Sequence, residues 1–112
     1  MNISALSDIK IDYAEGLNRL GGNRELYDKL LLKFVDSTDL SSATSLLENK
    51  QYDALFLLLH NAKGVSGNLA ITPFYEEVSL VVDRLRSHQY EDVPERLEAC
   101  LVTLEAMKED VR

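Results

Sequence analysis

The sequence predicts an all-α protein, an antiparallel up-and-down four-helix bundle with one or two short accessory helices. Its apolar residues recur at steps of three and four rather than alternating, which is typical of amphipathic helices and not of strands. Two prolines and five glycines among 112 residues leave few positions that interrupt a helix. Helices of roughly 10 to 20 residues with short connections pack best as antiparallel neighbours. Since no linker or repeat divides the chain, we expect one domain spanning residues 1–112.

Local signals divide this domain into six helices. The first opens with a capping-box pattern at residues 12–15, Asp-Tyr-Ala-Glu, and stops at the glycine pair 21–22. Asn23 is a capping residue for the second helix. The pair Thr-Pro at 72–73 places a capping residue before a proline in the first turn, and a second capping-box pattern occupies residues 92–95. The predicted helices span residues 12–20, 23–37, 39–50, 51–71, 72–88 and 92–108.

Charge and composition exclude several classes of protein. The net charge is −7 and the isoelectric point is near 4.7, the wrong sign for holding a nucleic-acid backbone. The longest apolar run, residues 54–59, is far shorter than the roughly 20 residues that cross a bilayer, and no charged-then-apolar leader opens the chain. We expect a cytoplasmic protein with no nucleic-acid and no membrane partner. The single cysteine, Cys100, excludes an internal disulfide and falls beside an apolar stripe, which indicates a buried filler rather than a nucleophile.

The fourth predicted helix has an unusual face opposite its core. At about 100° per residue, the core stripe contains Leu55, Leu58, Ala62, Val65 and Leu69, with Leu59 and Ser66 flanking it. His60 falls on the opposite side of this helix. The residues that share its side are Asp53, Phe56, Leu57, Lys63, Gly64 and Gly67.

Two glycines inside this helix suggest that another molecule approaches its backbone. Each costs about 1 kcal/mol relative to alanine, and neither serves a turn. Gly64 and Gly67 lie one and two turns beyond His60, so they leave bare main chain beside the imidazole. Phe56 and Leu57, one turn before it, provide apolar surface of the kind that docks a protein partner.

The charges on this face favour phosphate over a metal ion. Lys63 adds a positive charge within one turn of His60, on a strongly acidic chain. A metal site would need more ligands at helical spacing, and Asp53 is the one carboxylate on this side. We therefore expect no metal and no bound cofactor in this chain. His88 has no comparable surroundings and is expected to be an ordinary surface group.

Residues 59–69, Leu-His-Asn-Ala-Lys-Gly-Val-Ser-Gly-Asn-Leu, resemble the signature of histidine-containing phosphotransfer (HPt) domains, the helical carriers of multistep phosphorelays. The segment matches the histidine of that family at His60, its lysine at Lys63, its glycine at Gly64 and its small residue at Gly67. The resemblance implies that residues 1–112 form a single HPt-like domain.

The resemblance extends upstream, since residues 12–34 are similar to the opening of such domains. Two departures affect packing more than phosphate chemistry: Ala62 stands where the family often has leucine, and Ala-Ile at 70–71 replaces a common Gly-Ala ending. The phosphorylated histidine of sensor kinases is usually followed by an acidic residue and soon by a proline. Here Asn61 follows, and no proline appears before Pro73.

The resemblance implies a phosphocarrier of a two-component multistep phosphorelay. His60 would accept a phosphoryl group from a receiver-domain aspartate of a hybrid histidine kinase and pass it to the receiver of a response regulator, with Lys63 balancing the phosphate charge. Mg²⁺ is expected from the receiver partner. No nucleotide-binding glycine loop occurs, so we expect no ATP-dependent kinase activity, and we expect a monomer. The residues implied in partner binding are Phe56, Leu57, Gly64, Gly67 and Asn68.

Two alternatives remain open from the sequence. In the first, the protein is a non-phosphorylated helical adaptor that docks receiver domains or other signalling proteins through Phe56 and Leu57. In the second, the bundle is purely structural, and replacing Gly64 and Gly67 by alanine changes nothing except stability.

Overall fold

The computed structural model of the chain describes residues 11–111, with side chains through Glu109. This range contains six helices and no strand, which confirms the all-α class for the described residues. The first ten residues and the last residue of the predicted domain lie outside this range. No helix within it is both long and apolar enough to cross a membrane. The helices are α1 (Tyr13–Arg19), α2 (Arg24–Ser37), α3 (Ala43–Glu48), α4 (Tyr52–Asn68), α5 (Thr72–Arg86) and α6 (Val93–Val111).

Capping hydrogen bonds confirm two of the predicted helix starts. The carboxylate of Asp12 accepts a bond from the backbone N–H of Glu15 at 3.1 Å. The side-chain oxygen of Asn23 accepts one from the N–H of Leu26 at 3.0 Å. Both bonds satisfy a backbone donor that the first turn of a helix leaves free, so these starts are encoded locally.

Two other helices begin within one residue of the predicted positions, but their capping contacts differ from those predicted. Thr72 is the first residue of α5 rather than its cap, because Ile71 holds the cap position without a side-chain bond. The carboxylate of Asp92 accepts bonds from the Nε atoms of Arg84 and Arg96, at distances of 3.1 to 3.2 Å, so it joins α5 to α6.

Helix α3 is shorter than the predicted span 39–50. The carboxylate of Asp39 accepts a bond from the N–H of Ser41 at 2.9 Å, which forms a turn ahead of the helix. The helix therefore begins only at Ala43, and it ends at Glu48.

Several helices end at residues other than glycine that adopt a left-handed backbone. After α4, the N–H groups of Ala70 and Ile71 bond to carbonyls of the last turn in the Schellman pattern. Because glycine usually takes this conformation, a stop without glycine leaves little trace in the sequence. Helix α4 thus ends at Asn68 and not at the predicted residue 71. The three left-handed residues are Lys50 (φ 55°), Ala70 (φ 55°) and His88 (φ 57°).

Helix α5 lies at the centre of the packing. It makes its most extensive contacts with α4 and α6, while α3 packs on α4, α2 on α6 and α1 on α2. As predicted, Cys100 is fully buried, and burial raises the pKa of its thiol to about 12. The largest fully buried side chains of the core are Tyr27, Phe74, Leu31, Leu55, Leu59, Ile71 and Met107.

The buried face of α4 is rotated relative to the predicted stripe by about 50°, which corresponds to half a residue of helix. Val65 is 47% exposed, so the predicted stripe was wrong at this position, whereas the half-buried Leu58 packs against the core. Ser66 is tolerated in the core because its hydroxyl donates to the backbone carbonyl of Lys63 at 3.1 Å. Because of the rotation of the buried face, His60 lies on the flank of α4 that faces α5. The buried residues of α4 are Leu55, Leu59, Ala62 and Ser66.

Candidate functional site

His60 lies in the middle of α4, and its side chain is exposed. Within the described part of the chain, no residue forms a hydrogen bond with either ring nitrogen. The imidazole stacks on Phe56, one helical turn earlier, with 5.5 Å between ring centroids and 25° between ring planes. An exposed imidazole with both nitrogens free is available as a nucleophile towards a molecule arriving from solvent.

A cleft of about 600 Å³ extends from His60 to the C-terminal end of α4. Helix α4 contributes Lys63, Gly64, Gly67 and Asn68 to its lining. The cap and helix of α1 line the cleft on one side, and α5 lines it on the other. The residues that these elements contribute are Asp12, Glu15, Arg19, Thr72, Tyr75 and Glu76.

The cations of the cleft differ in whether their charge is already balanced. The Nε atom of Arg19 pairs with the carboxylate of Glu15 at 3.0 Å. Lys63 is half-buried one turn beyond His60, and among the described residues no carboxylate lies within ion-pair distance of it. Lys63 therefore has a charge to offer an anion bound at the imidazole.

The two glycines of α4 have different surroundings. A Cβ atom added at Gly64 would have nothing within 4 Å, so the backbone there is open to solvent. A Cβ atom added at Gly67 would lie 3.0 Å from Cε2 of Tyr75, whose ring packs against this turn from α5. Contact with Tyr75 therefore accounts for Gly67 inside the molecule, whereas no contact of the described chain accounts for Gly64.

Arg19 and Tyr75 belong to the cleft but were not found from the sequence. The guanidinium of Arg19 donates to the backbone carbonyl of Gly67, so it ties α1 to the last turn of α4. Arg19 and Tyr75 both belong to helices other than α4, so periodicity within α4 gave no signal for them.

The structure divides the predicted partner-binding residues into two groups. Gly64, Gly67 and Asn68 line the cleft with His60, and Asn68 is the exposed last residue of α4. Phe56 and Leu57 lie outside it, near the N-terminal half of the helix. The guanidinium carbon of Arg86, from α5, is 5.5 Å from the centroid of the Phe56 ring, and Leu57 is 62% exposed.

Comparisons of the chain with protein-family models, with curated proteins and with solved structures find no match. In residues 11–109, no three His, Cys, Asp or Glu side chains cluster in a way that could hold a metal ion.

Among the described residues, the geometry of the site brings three features together. These are a ring nitrogen of His60 without a hydrogen bond, the unpaired ammonium group of Lys63, and open main chain at Gly64.

Proposed function

We propose that the chain is a histidine phosphotransfer protein of a two-component phosphorelay, in which His60 carries the phosphoryl group. The observation that supports this most directly is the exposed imidazole, which has no hydrogen-bond partner among the described residues and lies one turn from the unpaired Lys63. A surface histidine with no function would need neither the lysine nor the open backbone at Gly64.

The transfer forms one bond and breaks another. The lone pair of a ring nitrogen of His60 attacks phosphorus, and the bond between phosphorus and the aspartate oxygen of the receiver breaks. That oxygen leaves with the bonding electrons as a carboxylate, and the proton of the other ring nitrogen passes to solvent. The second receiver reverses these steps, so the chain carries the group without needing a base of its own.

Lys63 provides the charge balance in this proposal. Phosphoryl transfer depends mainly on positioning and on neutralising oxygen charge, usually with Mg²⁺, which the receiver would bind. The ammonium group of Lys63 would accompany the phosphoryl group while it resides on His60. The sequence contains no nucleotide-binding glycine loop, so the proposed carrier would have no kinase activity of its own. We propose the cytoplasm as its location.

The fold proposed for this carrier is an antiparallel four-helix bundle formed by α2, α4, α5 and α6, with α1 and α3 as accessory helices. Three sides of such a bundle are supported by the contacts of α4 with α5, α5 with α6 and α2 with α6. The fourth side is supported by Tyr27 of α2, whose hydroxyl donates to the carbonyl of Leu69 after α4 at 2.6 Å. A receiver would dock on the outer surface of α4, as a one-to-one complex with the monomer.

A receiver carrying a radiolabelled aspartyl phosphate tests the proposal directly. We expect the protein to acquire label that is stable to alkali and labile to acid, as a phosphorus–nitrogen bond is. The variant His60→Gln should take no label. The matched control is His88→Gln, since His88 is also exposed but follows α5 outside the cleft. Label that persists in His60→Gln would disprove the assignment.

The second candidate is an adaptor that docks the same partners without carrying phosphate. It is favoured by the exposed apolar surface of α4, where Leu57 is 62% and Val65 47% exposed. Under this alternative, His60→Gln binds a receiver as tightly as the wild type, which itself never acquires label. Titration of both proteins with the same receiver, measured by calorimetry, separates the two functions.

A further inference from the structure

We propose that Phe56 is a positioning residue for His60, and that Arg86 holds Phe56 in place. This inference rests on the proposed function for its chemistry, but it concerns the orientation of the imidazole and not its partner. From the sequence, Phe56 was expected only to form apolar docking surface.

The first step of the argument concerns the freedom of the imidazole. The ring is exposed, and in the described range no hydrogen bond fixes either nitrogen, so ordinary means of orienting a histidine are missing. The Phe56 ring, stacked at 5.5 Å and 25°, is the ring contact that His60 makes in this range. Ring pairs at this separation attract each other, so the stack favours one orientation of the imidazole over others.

The second step concerns Phe56 itself. Its ring is half-buried and lies beneath the guanidinium of Arg86, at 5.5 Å from the ring centroid. A cation over an aromatic face is attracted to it, so α5 restrains the ring from across the helix interface. The contacts of Arg86 with Phe56 and of Phe56 with His60 thus link the proposed nucleophile to a second helix without a hydrogen bond to its nitrogens.

The consequence is that the ring nitrogens are left free while the stack restrains the plane of the ring. A nucleophile that attacks phosphorus in line loses rate when it samples other orientations. Holding one side chain in its reactive rotamer before attack is expected to change the rate by about three- to tenfold. Docking surface alone would not have this effect on a small phosphodonor.

Phosphorylation by phosphoramidate, which needs no docking surface, provides the test. In this reaction the imidazole nitrogen bonds to phosphorus, the phosphorus–nitrogen bond of the donor breaks, and ammonia leaves with the imidazole proton as ammonium. We expect Phe56→Leu to react about three- to tenfold more slowly than wild type. Phe56→Tyr, which keeps the ring, should react at the wild-type rate, and Arg86→Gln should be slowed about twofold.

The same variants are compared by the NMR resonances of the His60 ring, which shift when a stacked aromatic ring is lost. The matched control is Tyr90→Leu, because Tyr90 is another half-buried ring that stacks on a residue of α4, Tyr52, outside the cleft. We expect the control to leave the His60 resonances and the phosphoramidate rate unchanged.

Wild-type phosphoramidate rates and His60 resonances in Phe56→Leu would overturn the proposal, including when transfer from a receiver is slowed. In that case Phe56 contributes docking surface only. A wild-type protein that reacts with phosphoramidate but with no phosphorylated receiver rejects the proposed function. The comparison of Phe56→Leu with Phe56→Tyr still decides the role of Phe56 in that case.

Discussion

The junction between α1 and α2 and the outer surface of α4 both place a glycine inside a helix, but the surroundings of the two glycines are opposite. Gly16 is buried in α1, and a Cβ atom there would collide with the ring and hydroxyl of Tyr27. At Gly64 a Cβ atom would meet nothing. The fold requires glycine at position 16, because the Tyr27 ring occupies the space of a side chain there. At Gly64, no contact within the described chain requires glycine. Glycine in a helix therefore points to function only where the structure leaves its surroundings open.

The largest expected effect is that of Gly16→Ala. The methyl group would collide with Tyr27, which is fully buried and held by its hydrogen bond to Leu69, so the ring has little room to move. We expect the free energy of unfolding to fall by about 2 kcal/mol, within the range for overpacked cores. Urea denaturation monitored by circular dichroism measures it. A variant as stable as wild type would show that this junction is not tightly packed.

A somewhat smaller loss is expected for Tyr27→Phe. The substitution keeps the ring against Gly16 but removes the donor to the carbonyl of Leu69, which becomes a buried acceptor without that bond. We expect a loss of about 1–2 kcal/mol by the same measurement. Tyr52→Phe is the control, because the hydroxyl of Tyr52 makes no hydrogen bond within residues 11–109, and its loss should be near zero. Equal losses in the two variants would contradict the assigned role of the bond.

The loss of stability at alkaline pH provides a second test of Tyr27. Burial raises the pKa of Tyr27 to about 12 from an ordinary value of 10. The unfolded chain thus releases this proton at lower pH than the folded protein, so the stability that Tyr27 contributes is present below pH 10 and is lost as pH rises towards 12. We expect Tyr27→Phe to lose less stability than wild type across this interval in urea titrations. An identical loss in both proteins would contradict the prediction.

At the open region the expected effect on stability has the opposite sign. Gly64→Ala removes a helix-destabilising residue where space is free, and we expect it to raise the free energy of unfolding by about 1 kcal/mol. The same variant should slow phosphoryl transfer from a receiver, because the added methyl group meets the docked partner, while the phosphoramidate reaction is unaffected by docking. Gly64→Leu should slow transfer further. Transfer at the wild-type rate in both variants would show that no partner approaches Gly64.

The smallest net effect is expected for Gly67→Ala, which combines features of both regions. The gain in helix propensity is offset because the methyl group would lie 3.0 Å from the Tyr75 ring, which must move slightly. We expect the stability to change by less than about 0.5 kcal/mol. In a Tyr75→Ala background the same substitution should stabilise by about 1 kcal/mol, since the opposing contact is gone. Equal effects in the two backgrounds would remove Tyr75 from the explanation.

These differences also explain which parts of the fold the sequence could predict. Asp12 and Asn23 were correctly placed as caps because each bonds to an N–H three residues later, a contact set by local geometry. The end of α4 was misplaced because Ala70 adopts the left-handed conformation that glycine normally marks. Val65 was misplaced because a helical wheel treats the helix as isolated, while neighbouring helices on each side decide which flank is covered.

The candidate site was predictable to the same extent. His60, Lys63 and Gly64 lie within one turn of a single helix, so their spacing alone put them on one surface. Arg19 and Tyr75 come from α1 and α5, and their presence in the cleft depends on how those helices pack on α4. Reasoning from one helix at a time finds the exposed histidine but not the sides of its cleft.

Periodicity and local signals were enough to predict the helical class, most helix starts, and the exposure of the imidazole with a lysine one turn away. These properties follow from periodicity and from contacts within a few residues, which the chain carries before it folds. Tertiary structure decided that Tyr75 covers Gly67, that Tyr27 fills the space at Gly16, and that Arg86 reaches the ring beside His60. Each of these contacts joins residues from different helices, so it exists only once the helices have packed.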